Sequence, residues 1–157
     1  MTKDELIAVL RLQNIPNIGD ITAKKLITHC GSPIAVFTDK MKHLEKIEGI
    51  GRVILRGLQN KKYLHAAEME YEFILKNNIS CSYFLDVDYP KYLKHCVDAP
   101  ILLFKRGNMQ LENKKIISIV GTRNSTSYGR AFCEEFIENM APLDPVIISG
   151  FAYGIYI

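Results

Sequence analysis

The spacing of apolar residues changes near residue 79, and this change divides the 157-residue chain into two parts. Before it, apolar residues recur every three or four positions, as they do on one face of an α-helix. After it, short apolar runs such as Ile116–Val120 and Val146–Ile148 have the length of β-strands. We therefore predict a helical domain over residues 1–78 and an α/β domain over residues 79–157.

Helix signals are regular throughout the first part. Thr2 and Glu5 have the spacing of a capping box, and Ser32 followed by Pro33 is typical of a helix start. Gly31 stands where a glycine often ends a helix. These signals predict a series of short helices that ends near residue 78.

The second part contains four short segments with strand character, at residues 80–85, 101–105, 114–120 and 146–149. An amphipathic helix is predicted between the last two, over Tyr128–Met140. A strand–helix–strand unit of this kind favours a parallel sheet that is buried on both faces. Such domains usually extend further than 79 residues, so we expect the α/β domain to be incomplete and the chain to be truncated within it.

Composition excludes several classes of protein. With 48% apolar and 24% charged residues, the chain has enough apolar side chains to form a core, so it is not predominantly disordered. No apolar run reaches the about 18 to 20 residues of a membrane helix, and the N-terminus lacks the apolar segment of a signal peptide. We expect a cytoplasmic protein. Its net charge of +3 is uneven: residues 1–67 carry +5 and residues 68–157 carry −2.

The cysteines and histidines give no sign of a metal site. Cys30, Cys81, Cys96 and Cys133 lack C-x-x-C spacing, and the four histidines are scattered. We predict reduced cysteines, no metal, no cofactor and no catalytic residue.

Two similar turns occur in the helical part. Ile15–Gly19 and Ile47–Gly51 each join two predicted helices and end in an apolar residue followed by glycine. They resemble the helix–hairpin–helix motif, in which a tight turn exposes backbone N–H groups to a phosphate without reading sequence. In the second copy, Gly49, Gly51 and Arg52 fit a DNA contact. In the first, Asn17 replaces a glycine and Asp20 would repel a phosphate, so a structural role for both turns remains an alternative.

The α/β part contains a polar loop between a strand and a helix. The strand ends in Val120, and Gly121, Thr122 and Arg123 follow. Backbone donors and the positive end of a helix meet at such a junction, which is a common place for anionic groups. Arg123 has the planar guanidinium that suits phosphate. The further residues that we assign to this candidate DNA-binding surface are Ser125, Ser127, Tyr128 and Gly129.

A second glycine-containing loop begins at Ser149 and Gly150, after the last strand. In a parallel sheet it would lie beside the first loop, and the two would form a phosphate-binding rim. Tyr128 and Tyr153 flank this rim and are candidates to stack on bases, although a role in the core is an equal alternative. Tight strand–helix packing would also require these glycines. The chain has no G-x-G-x-x-G motif and no P-loop motif, so it lacks the fingerprints of dinucleotide-binding proteins and P-loop NTPases.

Several motifs, in this order along the chain, resemble the DNA-processing protein A (DprA/Smf) family. They follow the helix–hairpin–helix module and are Asp88-Tyr89-Pro90-x-x-Leu93, Asp98-Ala99-Pro100-x-Leu102, Gly107, Val120-Gly121-Thr122-Arg123, Ser127-Tyr128-Gly129 and Ser149-Gly150-x-Ala152-x-Gly154-Ile155. No single motif is decisive, but the ordered set is specific and covers essentially the whole chain.

The resemblance implies a fold and a function. The fold is an N-terminal helical domain of the sterile-alpha-motif (SAM) type followed by an extended Rossmann-like domain. The function is binding and protection of single-stranded DNA in natural transformation (competence) and recombination, with assistance in loading the RecA recombinase. Proteins of this family act as dimers and have no established catalytic activity. The family pattern continues S-G-x-A-x-G-I-D, whereas Tyr156 occupies the aspartate position here. The resemblance therefore implies that the dimer surface is missing and that DNA binding and RecA loading are impaired.

Two other functions remain as alternatives. Related Rossmann-like enzymes cleave nucleoside monophosphates at the glycosidic bond, which requires a carboxylate beside the sugar. Glu134 and Glu135 are the candidates, but they are more simply explained as first-turn acids that favour the helix dipole, and the P-G-G-x-G-T loop of such enzymes is absent. The second alternative is a helical protein-interaction module attached to a nonfunctional α/β remnant.

Overall fold

The computed structural model describes residues 1–108, 111 and 113–150. The chain divides into two compact units, Met1–Gly107 and Asn108–Ile157. The first is mainly helical and the second is a small α/β unit. The fold class predicted from the sequence, a helical module followed by an α/β module, is confirmed.

Six helices form most of the first unit: α1 (Lys3–Asn14), α2 (Asp20–Cys30), α3 (Pro33–Thr38), α4 (Met41–Leu44), α5 (Arg52–Gln59) and α6 (Lys61–Lys76). The predicted capping box at the start of α1 is present, with the Glu5 amide donating to the Thr2 hydroxyl and the Thr2 amide donating to the Glu5 carboxylate. The Ser32 hydroxyl caps α3, as its sequence predicts.

Two strands complete this unit, β1 (Ser80–Tyr83) and β2 (Leu102–Lys105), which pair antiparallel with Tyr83 opposite Leu102. Tyr83, Ile101 and Leu102 are buried in the same core as the helices. The sequence predicted these segments as strands of the parallel sheet beyond a boundary at residue 78. In the structure the first compact unit extends to Gly107, because apolar residues of β1 and β2 pack against the helices.

The core of the first unit is formed by one cluster of apolar side chains. Helix α1 contributes Val9, Leu10 and Leu12, all fully buried, and packs mainly against α6. Leu26, Leu44 and Leu58 enter the same cluster from α2, α4 and α5. Burial of these residues provides most of the free energy that holds the short helices together, since helices of this length are marginal alone.

The second unit contains β3 (Ile116–Ile119), α7 (Ser127–Met140) and β4 (Val146–Ser149). β3 and β4 are parallel neighbours, with Ile116 opposite Val146 and Ile119 opposite Ser149. The predicted strand–helix–strand unit is therefore present, with α7 starting one residue earlier than expected.

Burial in the second unit differs from the prediction of a sheet covered on both faces. Within its described part no residue is fully buried, and Ile147 and Ile148 are 37% and 44% exposed. The physical reason is that the described residues supply only two paired strands, the connecting helix α7 and the short 3-10 helix Ala141–Leu143. None of the described helices is both long and apolar enough to span a bilayer.

Candidate nucleic-acid interface

The two glycine-containing loops of the second unit begin side by side. Ile119 and Ser149 are opposite each other at the carboxyl ends of β3 and β4, so Val120 and Gly150 both continue from the same edge of the sheet. This edge is where parallel α/β folds usually bind their ligands. The parallel register thus starts the loop that contains Gly121, Thr122 and Arg123 beside the loop that begins with Ser149 and Gly150.

The first loop leads directly into the N-terminus of α7. The Thr126 hydroxyl accepts a hydrogen bond from the Gly129 amide at 3.1 Å and caps the helix. The amides of Ser127 and Tyr128 precede this capped position and have no partner among the described residues. The Arg123, Ser127 and Tyr128 side chains are exposed, and Ser125 is half-buried.

Two details of this loop bear on the predicted roles of Thr122 and Tyr128. The Thr122 hydroxyl donates to the Asn124 carbonyl oxygen at 2.6 Å, so its proton is used within the loop. Tyr128 is 79% exposed, which leaves it accessible for stacking on a base rather than part of a core. Tyr153, the other tyrosine proposed for stacking, lies outside the described residues, as does the rest of the loop after Gly150.

The charge around this loop is positive. Residues 120–133 include Arg123 and Arg130 and no acidic residue, and the first turn of α7 has no acidic residue. Glu134 and Glu135, expected in that first turn, instead follow its first residue by seven and eight positions. At a rise of about 1.5 Å per residue they are about 10 Å along the helix from the loop. The expectation that they favour the helix dipole is therefore wrong, because the dipole effect is limited to the first turn.

The two helix–hairpin–helix turns of the first unit have nearly the same backbone. Asn17 and Gly49 occupy equivalent positions with φ of 66° and 87°, in the left-handed region. In each turn the amide of the following isoleucine donates to an isoleucine carbonyl three residues earlier, at 3.2 Å and 3.0 Å. Gly19 and Gly51 are the N-caps of α2 and α5, and neither helix has a side-chain cap.

The first hairpin has a structural partner that the sequence did not reveal. An Asp20 carboxylate oxygen accepts a hydrogen bond from the Ile101 amide at 2.8 Å, which connects α2 to the segment before β2. Ile101 is completely buried, so this bond satisfies an amide that water cannot reach. A carboxylate fixed at this end of α2 disfavours a phosphate there.

The second hairpin is open and basic. Gly49, Gly51 and Arg52 are exposed, and no acidic residue lies in the first turn of α5. Sequence reasoning missed Arg56, which follows Arg52 by four residues and therefore lies on the same side of α5. The i, i+4 spacing of the two arginines was the signal that could have identified it.

The family-typical residues near β1 and β2 have structural roles. Tyr89 is 2% exposed, and its hydroxyl donates to the Pro100 carbonyl oxygen at 2.7 Å, which joins the two Asp-x-Pro segments. The buried Ser82 hydroxyl donates to Asp88, whose other carboxylate oxygen pairs with Lys105. The hydrogen bond from Lys105 is the main cause of a lowered pKa at Asp88. These residues hold the unit together rather than line the candidate interface.

Among the described residues no group of histidine, cysteine and carboxylate side chains is placed to hold a metal ion. Cys30, Cys81, Cys96 and Cys133 all have free thiols.

The sequence of the chain is similar to proteins of one family. Residues 80–157 match the family model of DNA recombination-mediator protein A. A stretch of 68 residues is 43% identical to the DNA processing protein DprA of Bacillus subtilis (strain 168), covering 43% of this chain and 23% of that protein. A stretch of 71 residues is 38% identical to the DNA processing protein DprA of Streptococcus pneumoniae (strain ATCC BAA-255 / R6), covering 45% of this chain and 25% of that protein.

The matched stretches thus span about a quarter of each of these relatives. Both relatives and the family model point to the same family, and the ordered motifs of the chain agree with it. Over residues 80–157 the chain belongs to the DNA recombination-mediator protein A family.

Proposed function

We propose that this chain binds the sugar–phosphate backbone of single-stranded DNA in recombination and DNA uptake. The observation that carries the proposal is the pairing of Ile119 with Ser149, which starts both glycine-containing loops at one sheet edge. Exposed Arg123 and the unpaired first amides of α7 supply donors for phosphate oxygens at this edge. The names of the two relatives, DNA processing proteins, support DNA as the ligand.

The partners in this proposal follow the family resemblance. Coated single-stranded DNA would be passed to the RecA recombinase in the cytoplasm, and copies of the whole protein would associate as dimers. The proposal assigns binding and no catalysis, because the first turn of α7 at the candidate edge has no acidic residue and Glu134 and Glu135 are two turns away along α7.

The test is fluorescence anisotropy of a labelled single-stranded oligonucleotide titrated with the chain at about 50 and 200 mM salt, where multi-phosphate contacts lose most affinity. Arg123→Ala is the test variant. Lys115→Ala is the matched control, since exposed Lys115 precedes β3 at the opposite edge of the sheet. We expect salt-sensitive binding that Arg123→Ala weakens and Lys115→Ala leaves nearly unchanged.

Other outcomes would overturn the proposal. Equal effects of the two variants would show nonspecific charge attraction, and salt-insensitive association would favour a protein-interaction module. Release of free base from a nucleoside monophosphate, measured by chromatography, would show the enzyme alternative instead.

A further inference from the structure

A small groove lies on the first unit beside the basic face of α5. Its volume is about 220 Å³, and its walls include Pro16 from the first hairpin, Val53 and Arg56 from α5, Asn60, and Tyr63 from α6. Val53 is 64% exposed although it is apolar, and Tyr63 is half-buried against the core. The groove is therefore mostly apolar, with one aromatic ring and one guanidinium at its border.

The surroundings of the groove carry a concentrated positive charge. Residues 40–62 include seven lysines and arginines against two acidic residues, and all seven are exposed. Arg52 and Arg56 lie on the same side of α5, and neither guanidinium has a hydrogen bond or an ion pair with the part of the chain that the structure describes. Two uncompensated arginines beside an apolar groove suit a ligand that combines phosphates with flat apolar rings.

A second groove of about 240 Å³ provides a contrast. It is lined by Lys24, Phe84 and Lys94, so it also combines aromatic and basic side chains. Both lysines, however, already donate at 3.0 Å to backbone carbonyl oxygens, Lys24 to Val97 and Lys94 to Asp86. Their positive charges connect segments of the fold, whereas those of Arg52 and Arg56 face solvent.

We propose that the groove between Pro16, Val53 and Tyr63 accommodates one unpaired base of a single-stranded nucleic acid, while Arg52 and Arg56 contact the adjoining phosphates. This inference rests on the proposed function and adds a second, base-contacting site to it on the helical unit. Unpaired strands are required because bases in a duplex are stacked and their faces are not available to a side chain. An acidic peptide is the other ligand that charge alone would allow, and the test separates it.

The binding test compares four variants in the anisotropy assay, with an oligothymidine probe. Tyr63→Ala should weaken binding by about 5- to 140-fold, the range expected for loss of one stacked base. Tyr63→Phe keeps the ring and should bind like the unmodified chain. Arg56→Gln should reduce the slope of log affinity against log salt by about 0.7, the contribution of one phosphate contact on a single strand. Arg106→Gln, an exposed arginine of the same unit, is the matched control and should change neither quantity.

Photocrosslinking locates the base independently of affinity. An oligonucleotide carrying 5-iodouracil, irradiated with the full chain, should form a crosslink to the peptide that contains Tyr63. A helical far-UV spectrum and an unchanged melting curve for each variant exclude unfolding as the cause of lost binding. If Tyr63→Ala unfolds, the salt dependence of binding by Arg56→Gln and the position of the crosslink still test the proposed site.

The results that overturn this inference differ from those that overturn the proposed function. Crosslinks confined to residues 121–129, with Arg56→Gln behaving like Arg106→Gln, would reject the groove while leaving the glycine loops as the site. Binding sensitive to Tyr63 and insensitive to Arg123→Ala would keep the groove and reject the loops. A poly-glutamate peptide that competes as well as oligothymidine at equal charge would show an acidic-peptide site and contradict a base contact.

Discussion

A Cβ atom added to Gly57 would lie 2.4 Å from the Cγ2 atom of Ile15, closer than packed atoms can approach. Gly57 is in helix α5, and Ile15 follows α1 at the start of the first hairpin turn. Ile15 is only 2% exposed, so it cannot move aside into solvent. The missing side chain at Gly57 is what allows α5 to pack closely against the first hairpin, beside the proposed base-binding groove.

Gly57→Ala should therefore destabilise the chain, although alanine is the better helix former by about 1 kcal/mol. Overpacking of a filled core costs about 1–3 kcal/mol and exceeds that gain. Urea denaturation should show a lower midpoint. In an Ile15→Ala background the clash is removed, so Gly57→Ala should there become neutral or stabilising. An equal loss in both backgrounds would contradict the close contact.

The Asp20–Ile101 hydrogen bond should contribute measurably to stability. Asp20→Ala leaves the buried Ile101 amide without a partner, which costs about 1–3 kcal/mol. Asp20→Asn keeps a carbonyl oxygen at the same place and should cost less. The measurement is the free energy of unfolding together with hydrogen exchange of the Ile101 amide, which should quicken in Asp20→Ala only. Unchanged exchange in that variant would show that the amide has another partner.

Gly49 should accept asparagine better than other substitutions. Its φ of 87° is in the left-handed region, which costs a residue with a side chain roughly 1–2 kcal/mol. Asn17 already adopts that region in the equivalent turn, because asparagine tolerates it. In thermal melts the unmodified chain should have the highest melting temperature, Gly49→Asn a slightly lower one and Gly49→Val a clearly lower one. Equal melting temperatures for the two variants would contradict this backbone requirement.

Acid should weaken the interaction of Asp88 with Lys105 and Ser82. Its pKa is lowered in the folded chain, chiefly by the hydrogen bond from Lys105, so folding favours the ionised carboxylate. A lowered folded pKa contributes stability above the unfolded value of about 3.9 and loses it as pH falls through the folded pKa. Between pH 7 and pH 3, the free energy of unfolding should fall less for Asp88→Asn than for the unmodified chain. Parallel pH profiles of the two chains would contradict the assignment.

Much of the local structure could be predicted from the sequence. The capping box, the Ser32 cap, the left-handed Asn17 and the strand Val146–Ser149 all depend on residues close together in the chain. Patterns of this kind are determined by local sterics and hydrogen bonding, so a short window of sequence contains them.

The long-range arrangement could not be predicted in the same way. The antiparallel pairing of β1 with β2 spans the connection 84–101, and periodicity does not determine strand direction or partner. Likewise, the groove is lined by both Pro16 and Tyr63, which are far apart in sequence. The position of the candidate edge could be predicted, because two parallel strands joined by one helix end at the same edge of the sheet. The loops that follow them therefore begin at that edge.

Amide chemical-shift mapping tests the central claim most directly. The ¹⁵N-labelled chain would be titrated with unlabelled oligothymidine at about 50 mM salt, where phosphate contacts are strong. We predict shifts at Gly121–Gly129 and at Ser149 and Gly150, with a second group at Gly49–Arg56 and Tyr63. A well-folded chain whose amides at the sheet edge stay unshifted at saturating oligonucleotide would contradict the assignment of the glycine loops as the DNA-binding site.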